Sequence, residues 1–438
     1  MKKVTKSSPN TEDLETKELL KHAEKYYAPP PPKDGKIIGI DCHPDTFTAA
    51  VGSGSTVYDL KHLSTKGDIS LEKLITWASE NFSHKDLFLM EAGSNSFEVY
   101  RRLTDQGLRA CVLESAHIGK HAKTYADNDK IASLRIISVY LGTKAPAVWV
   151  PDRITLERRE LLHLYQRSVT AHVQSSNAIK GYLNQYGIRL QKRQPHLETT
   201  VEWVKKQRDW SELQHTLLDD HFQQIQQHQQ RRKMLQGIIT KEVLKEPKML
   251  ALMSLIGIGQ INAFALIAII GDIRRFTNPK KLAAYLGLNP GIKQSGKGKH
   301  IKIGAGKRGR RDMRSLLIQG AQAILRMSRT SPIGKWGWKL LARKGNRNIA
   351  VVAVARKLSA QIWHLLMGNR PEALESSKSR DIKYNKLLAS ISKVKRIEMG
   401  LKGTLKEELS ELNKRLELYK TQCSTWGCHP KPDQAEAA

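Results

Sequence analysis

Order in this chain begins at Lys36-Ile37-Ile38-Gly39-Ile40-Asp41-Cys42-His43-Pro44-Asp45-Thr46-Phe47-Thr48-Ala49-Ala50-Val51. Residues 37–41 are a short apolar run of mostly β-branched residues that ends on an acid. His43-Pro44-Asp45 turns the chain, and residues 46–51 return as a second strand, which predicts a β-hairpin. Working outward, residues 71–81 have helical spacing and 86–91 form another buried strand ending on an acid. Residues 96–105 predict a helix, 110–113 a strand and 131–141 a helix. Strands alternating with helices imply an α/β layer built on a mixed sheet.

Beyond this block the pattern changes. Leu156, Leu161, Leu164, Tyr165, Val169 and Val173 follow helical spacing, and Pro195 interrupts the region. Residues 154–245 therefore predict a long helical hairpin or coiled coil, with the Gln-rich stretch 223–232 as a solvated helix face. Pro247 opens a third, mostly α section with helices at 263–270, 279–286 and 313–326. The Gly257-Ile258-Gly259 turn suits either a phosphate-contacting turn between helices or a plain tight turn. The expected organisation is an N-terminal arm at 1–34 closed by a stiff Pro29–Pro32 spacer, then an α/β domain at 35–150. A helical coiled-coil region at 151–246, a helical domain at 247–370 and a charged tail at 371–438 follow. In the tail, Leu405, Leu409, Leu412, Leu416 and Tyr419 form a heptad-like stripe that suits a second copy or the chain's own body.

The 438 residues carry 73 Lys and Arg against 42 Asp and Glu, a formal net charge of +31. The excess is spread over most of the length, which favours a nucleic-acid partner over a single basic tail. No apolar run approaches the ~20 residues of a bilayer span, so no membrane is expected. The basic N-terminus has no apolar core after it, unlike a signal peptide. Four cysteines are too few for a disulfide scaffold, and a reduced, cytosolic chain is the default expectation.

Two features carry chemistry. Asp41 and Glu91 close apolar strands whose cores need no carboxylate, and strand ends can converge on one rim of a sheet. Clustered carboxylates repel one another unless a hard cation lies between them, and Mg²⁺ or Mn²⁺ suits oxygen ligands. Capping of turns is the alternative. Asp127 and Asp129 add acids ahead of a helix, where they equally complement its dipole. Cys42 and His43 follow Asp41; core packing is expected for the cysteine, while the histidine can either approach the metal rim or serve the turn, the turn being the preferred reading. The second feature is Ser295, set among Lys293, Lys297, Lys299, Lys302, Lys307, Arg308, Arg310, Arg311 and Arg314 with Asp312 the one acid near them. Such a surface calls for a polyanion, and a hydroxyl there can either contact a phosphodiester or attack one. Trp336 and Trp338 suit base stacking or packing on the helix at 351–366.

Taken in order, Ile38-Gly39-Ile40-Asp41, Met90-Glu91-Ala92-Gly93 and Asp129-Lys130-Ile131 resemble the RuvC-like domain of DEDD transposases, the insertion-sequence recombinases guided by a bridge RNA and related to the Piv DNA invertase. Ile256-Gly257-Ile258-Gly259, Gly271-Asp272-Ile273-Arg274-Arg275-Phe276, Leu282 to Pro290 and Gln294-Ser295-Gly296 resemble the family's second catalytic domain. The resemblance spans about residues 36–365. It implies an RNase H-like first domain whose Asp41, Glu91 and Asp129 bind Mg²⁺, and Ser295 as a nucleophile that forms a covalent phosphoserine link to DNA. It also implies donor and target DNA, a guide RNA, and a dimer or tetramer, since exchanging two duplexes needs several active sites. A metal-dependent junction-resolving nuclease and a non-catalytic RNA or DNA binder are the rivals.

One departure stands out. The family's fourth acid falls one helical turn after the third, where this chain has Ala132; Asp127, folding back across the helix start, is the favoured replacement, the alternatives being a site of three acids, an impaired copy or an engineered change. If Asp127 does so, Asp127→Asn will lose Mg²⁺-dependent strand cleavage on a denaturing gel; unchanged cleavage removes Asp127 from the site.

Overall fold

The computed structural model describes residues 27–93, 95–121, 128–191, 193–293, 301–305, 309–368 and 377–426. The chain divides into two compact units, Met1–Asp152 and Arg153–Ala438.

The first unit holds β1 (Ile37–Cys42), β2 (Phe47–Ser53), β3 (Lys61–Ile69), α1 (Leu71–Asn81), β4 (Leu87–Glu91), α2 (Ser96–Asp105), β5 (Arg109–Leu113), α3 (Ser115–Lys120) and α4 (Asp129–Gly142). The strands form one mixed sheet in the order β3-β2-β1-β4-β5. β2 runs antiparallel to both β1 and β3, while β1, β4 and β5 are parallel. The hairpin, β4, β5, α1, α2 and α4 lie where the sequence predicts them. Ser70 caps α1 by accepting from the Lys73 amide, and Asn128 caps α4 by accepting from that of Ile131, which fixes both starts. β3 and α3 are additions to the predicted elements. β3 is an exposed edge strand of sequence Lys-His-Leu-Ser-Thr-Lys-Gly-Asp-Ile with no apolar alternation, so only its pairing with β2 defines it.

Helices cover both faces of the sheet. Ile38, Ile40, Phe88, Met90 and Val112 pack with Leu74 and Ala78 of α1 and Val99 and Leu103 of α2. Ile37, Leu87, Leu89, Cys111 and Leu113 pack with Ile118 of α3 and Ile136, Ile137 and Tyr140 of α4. The period-2 alternation of β1 thus puts Ile37, Gly39 and Asp41 on the α4 face. On that face the contact is close. A Cβ on Gly39 would stand 2.1 Å from the Ser133 carbonyl oxygen and 2.9 Å from Cγ1 of Ile137. The end of the expected free arm is docked here too. Ala28 N donates to Ala145 O at 3.0 Å, and the Tyr140 hydroxyl donates to Pro29 O at 2.6 Å.

The second unit is mostly helical. It comprises α5 (Arg153–Asn184), α6 (Glu198–Lys205), α7 (Glu212–Lys245), α8 (Pro247–Ser254), α9 (Gln260–Ile270), a 3₁₀ turn (Ile273–Arg275) and α10 (Pro279–Tyr285). The hairpin β6 (Pro290–Lys293) and β7 (Ile301–Ala305) follows. α11 (Arg311–Met327), α12 (Pro332–Lys344), α13 (Arg347–Leu366), α14 (Ser377–Ala389), α15 (Lys393–Glu398) and α16 (Leu405–Trp426) complete it. α5 and α7 form the predicted helical hairpin and run antiparallel. Arg158 near the start of α5 pairs with Glu242 and Glu246 of α7's end, and Gln214 at α7's start donates to the Tyr186 hydroxyl just past α5. Ser211 opens α7 with a capping box. The Gln-rich stretch is solvated as expected except at Ile225 and Gln229, which are buried.

One core runs through α7, α8, α9, α11, α13, α14 and α16. Ile239 and Val243 lie in it with Leu250, Leu266, Leu317, Leu358, Tyr384 and Leu412, so the expected cuts at 246/247 and 370/371 fall inside a single packed body. The stretch read as a charged tail folds onto the chain's own body. Tyr384 donates its hydroxyl to Leu250 O at 2.8 Å, and Lys383 Nζ bonds Met253 O and Leu255 O at 2.8 and 2.6 Å. Leu412, Leu416 and Tyr419 of the heptad-like stripe are buried in the same core. α13 is long and apolar enough to cross a membrane, contrary to the expectation that no stretch reaches that length. Its Ala350, Val354, Leu358 and Ile362 face is buried here among the neighbouring helices.

Two glycine crossings set local geometry. Gly257 has φ +84° and lies against α11, where a Cβ would meet the Gly320 carbonyl oxygen at 2.7 Å; close packing accounts for the Gly-Ile-Gly turn. Gly287 (φ +73°) and Gly309 (φ +84°) cross at the base of the β6–β7 hairpin, where a Cβ on Gly309 would stand only 2.6 Å from the Gly287 Cα. Trp338 donates to Leu325 O at 2.9 Å and Trp336 packs on the core, so both tryptophans serve packing.

The Gly39 contact gives a stability test. Gly39→Ala forces β1 and α4 apart, and overpacking of this kind costs about 1–3 kcal/mol. Gly67→Ala, whose Cβ would meet nothing nearer than 3.7 Å, is expected to stay within about 0.5 kcal/mol of the parent. Urea unfolding of the full chain, followed by circular dichroism, measures both.

Candidate metal centre

The register of the sheet and the seat of α4 together assemble the site. Ile40 pairs with Met90 across parallel strands, so Asp41 and Glu91, one residue further, stand side by side at the C-terminal rim. α4 touches β1 where Ser133 meets Gly39. Asp129 is one helical turn before Ser133, about 6 Å along the axis. Asp41 is two strand residues beyond Gly39, about 6.6 Å along β1. The two displacements match, and the first residue of α4 arrives at the last acid of β1.

His43 completes the group. Its Nε2 lies 3.2 Å from Asp41 Oδ2 and 3.2 Å from Asp129 Oδ1. One donor atom from each of Asp41, His43 and Asp129 fits within 4.8 Å of the others. The histidine therefore occupies the turn and also belongs to the rim, so the less favoured of its two sequence readings holds as well. The β1–β2 turn that carries it is held in two ways: His43 N donates to Thr46 O at 3.0 Å, and the Asn95 side-chain amide donates to His43 O. The sequence signal is its position two residues after Asp41, just past the end of β1; a His-Pro-Asp turn is otherwise ordinary.

The electrostatics suit a cation. Burial raises the Glu91 carboxyl above the usual carboxylate range, with the Asp41 charge adding to this; a Ser115 hydrogen bond and Arg135 work against the rise. The Cys42 thiol is pushed up to about 12, first by burial and then by the Asp41 and Glu91 carboxylates. Cys42 packs against the Ile38 and Ile40 side of the sheet and stays a thiol. The His43 Nε2 atom is buried and makes no well-aligned hydrogen bond among the described residues, with two carboxylate oxygens beside it. Two carboxylate oxygens and one imidazole nitrogen fit a divalent cation such as Mg²⁺ or Mn²⁺, and the nitrogen is better tolerated by Mn²⁺. Ala132 presents only a methyl one turn after Asp129, and its amide donates to Asn128 O at 2.8 Å.

The other sequence-predicted residues are placed as follows. Asp127, Ser295, Lys297, Lys299, Lys307 and Arg308 lie outside the described residues. Lys293 and Lys302 sit on the paired strands β6 and β7, with Lys293 opposite Ile301 and Lys302 opposite Ile292. In the sequence Ser295 comes between β6 and β7; of the residues flanking that hairpin, Gly287 and Gly309 cross closely. Arg310 makes a two-pronged ion pair with Asp312, Nε to Oδ1 at 3.1 Å and Nη2 to Oδ2 at 2.7 Å. Burial works to raise the Asp312 carboxyl, and Arg310 overrides it and holds the group below its usual range. Arg311 is exposed at the start of α11 and Arg314 is half-buried.

Binding of Mn²⁺ to the full chain is expected to raise its unfolding free energy by about 2.7 kcal/mol at a hundredfold excess over Kd. Asp41→Asn removes the gain and His43→Ala diminishes it, as read by calorimetric melting with and without the metal. The pH dependence has a definite sign. Because the folded state favours protonated Glu91, the metal-free protein loses that stability as pH rises through the raised Glu91 value. The Mn²⁺ gain grows over the same window, and a gain independent of pH excludes Glu91 from the site.

Comparison with known proteins finds transposases and pilin gene-inverting proteins. Residues 249–333 match the Transposase IS116/IS110/IS902 family. The chain is 31% identical over 293 residues to a probable family 20 transposase of Pseudomonas aeruginosa, covering 64% of this chain and 83% of that protein. It is 24% identical over 348 residues to the transposase for insertion sequence element IS1111A of Coxiella burnetii, covering 76% of this chain and 90% of that protein. A pilin gene-inverting protein of Moraxella lacunata is 30% identical over 115 residues, 26% of this chain and 35% of that protein. With a strand-end acidic rim, a basic hairpin segment and relatives that align over most of its length, this chain belongs to the IS116/IS110/IS902 family and is a transposase.

Proposed function

We propose that this transposase is a site-specific DNA recombinase guided by a bridge RNA, with an RNase H-like first domain that holds Mg²⁺ or Mn²⁺ and a serine nucleophile at Ser295. The observation that carries it is the convergence of Asp41, His43 and Asp129 at the rim beside Glu91. The strand order β3-β2-β1-β4-β5, an antiparallel meander extended by two parallel strands, supports the RNase H-like fold. His43, already at the rim, takes the place of the acid missing at Ala132. When bound, the cation supplies Lewis-acid stabilisation of charge on a phosphodiester.

The chain's own residues do the rest. The Ser295 Oγ attacks phosphorus; the Oγ–P bond forms as the bond from phosphorus to the leaving sugar oxygen breaks. The serine proton passes to solvent, and the leaving oxygen takes a proton to become a hydroxyl. Lys293, Lys297 and Lys299 stabilise the added negative charge. Attack by a DNA hydroxyl on the phosphoserine reverses these changes and reseals a strand, so no nucleotide cofactor is required. Lys302, Lys307, Arg308, Arg311 and Arg314 neutralise backbone phosphates of donor and target DNA or of the guide RNA. Base pairing with that RNA reads the target sequence. Concerted exchange between two duplexes requires a dimer or tetramer.

Incubation with Mg²⁺, element-end DNA and the RNA transcribed beside the gene tests this. A protein–DNA adduct is expected on denaturing gels, absent in Ser295→Ala and reduced by about 10³-fold or more in Asp41→Asn and Asp129→Asn. Free 5′-phosphate ends without an adduct would replace the serine route by hydrolysis.

A further inference from the structure

The outward face of α7 carries a pattern that its packing against α5 does not use. Leu218, Phe222, Ile225, Gln229 and Ile239 point inward and are buried. On the opposite side, Leu213, Leu217, Asp220, Gln224, Gln227, Arg231, Met234 and Ile238 follow one another at alternating spacings of four and three, and all eight are exposed. This is an unbroken a/d seam. Its apolar ends are well exposed, Leu213 at 68%, Leu217 at 42%, Met234 at 59% and Ile238 at 43%. Exposed large aliphatic residues in register are a poor solvent face and a good helix-pairing face.

The order of residues along the seam selects the partner. Read from either end toward its centre between Ile225 and Gln226, the seam runs apolar, apolar, charged, Gln. The charged positions have opposite sign, Asp220 on one side and Arg231 on the other. A second α7 laid antiparallel therefore sets Leu213 against Ile238, Leu217 against Met234, Asp220 against Arg231 and Gln224 against Gln227, each contact made twice about a twofold axis. Every layer joins an a position to a d position, as antiparallel pairing needs. A parallel partner would oppose Asp220 to Asp220 and Arg231 to Arg231. Asp220 is already presented on this face, accepting from Gln224 Nε2 at 2.8 Å, and among the described residues no acid pairs with Arg231. We propose that α7 forms an antiparallel homodimer seam with α7 of a second copy, about 38 Å long from Leu213 to Ile238.

The seam deepens the oligomeric part of the recombinase reading, and its test reads mass and proximity rather than strand cleavage, so either can fail alone. Light scattering behind size exclusion of the full chain is expected to give a dimer or a multiple of it. Asp220→Arg alone and Arg231→Asp alone each place two like-charge layers in the seam and are expected to weaken self-association at least tenfold. The double variant D220R/R231D restores the parental mass. All sites are exposed, so each variant keeps the parental helicity, and any fall in melting temperature follows the loss of association. Proteins carrying Leu217→Cys and Met234→Cys, mixed and mildly oxidised, are expected to cross-link to each other. A monomeric parent, single variants of parental mass, a double variant that is not rescued, or Leu217→Cys linking to itself would each overturn the seam. So would a parent whose α7 positions are protected only after DNA is added.

Discussion

The approach of β1 to α4 at Gly39 is the contact on which the first unit's chemistry depends. A hydrogen in place of a side chain lets the Ser133 carbonyl come down on the strand. Once that spacing is set, helix rise and strand rise bring Asp129 to Asp41 without any further device. The apolar Ile38 and Ile40 bind the same strand to α1 and α2 on the other face, so β1 is fixed from both sides. The acids themselves contribute nothing to this. They repel one another, and Glu91 is further disfavoured as an anion by burial. The scaffold holds them in a position they would leave if free, which is how a cation site comes to be preorganised.

In the second unit, glycines do comparable work at two other places. Gly257 lets the α8–α9 turn rest on α11, and Gly287 and Gly309 cross at the base of the β6–β7 hairpin. The basic stretch thus has a defined root. The Arg310–Asp312 ion pair sits next to that root, so Arg310 is held by an acid within its own turn. Arg311 projects from the first turn of α11.

Much of the first unit is legible in the sequence because its strands are buried on both faces and end on acids that no core explains. Asp41, Glu91 and Asp129 follow from that logic and from the resemblance together. β3 is not legible, since an edge strand whose side chains face water carries no hydrophobic period. For His43 the sequence leaves rim and turn as alternatives, because its role depends on where α4 lands, which is a tertiary fact. The extent of the second core is hidden for a different reason. Charged residues between Leu405, Leu412 and Leu416 dilute composition without breaking the helical face, so a packed segment looks like a solvated tail. The helical hairpin is visible as periodicity, but its period does not say which face is left uncovered.

The way α14 and α16 close the second core bears on how such a gene decays. Tyr384, Leu387, Leu388, Leu401, Leu412 and Leu416 are all essentially inaccessible. Their removal leaves open to water the apolar surface of the core that they cover, including Leu250 and Met253 of α8. A frameshift or stop codon near residue 370 would keep every proposed catalytic residue and still yield an insoluble, short-lived product. Mobile elements that spread by making this protein are therefore silenced by late truncation almost as surely as by loss of the active site, and a defective copy would not linger as a DNA-binding competitor.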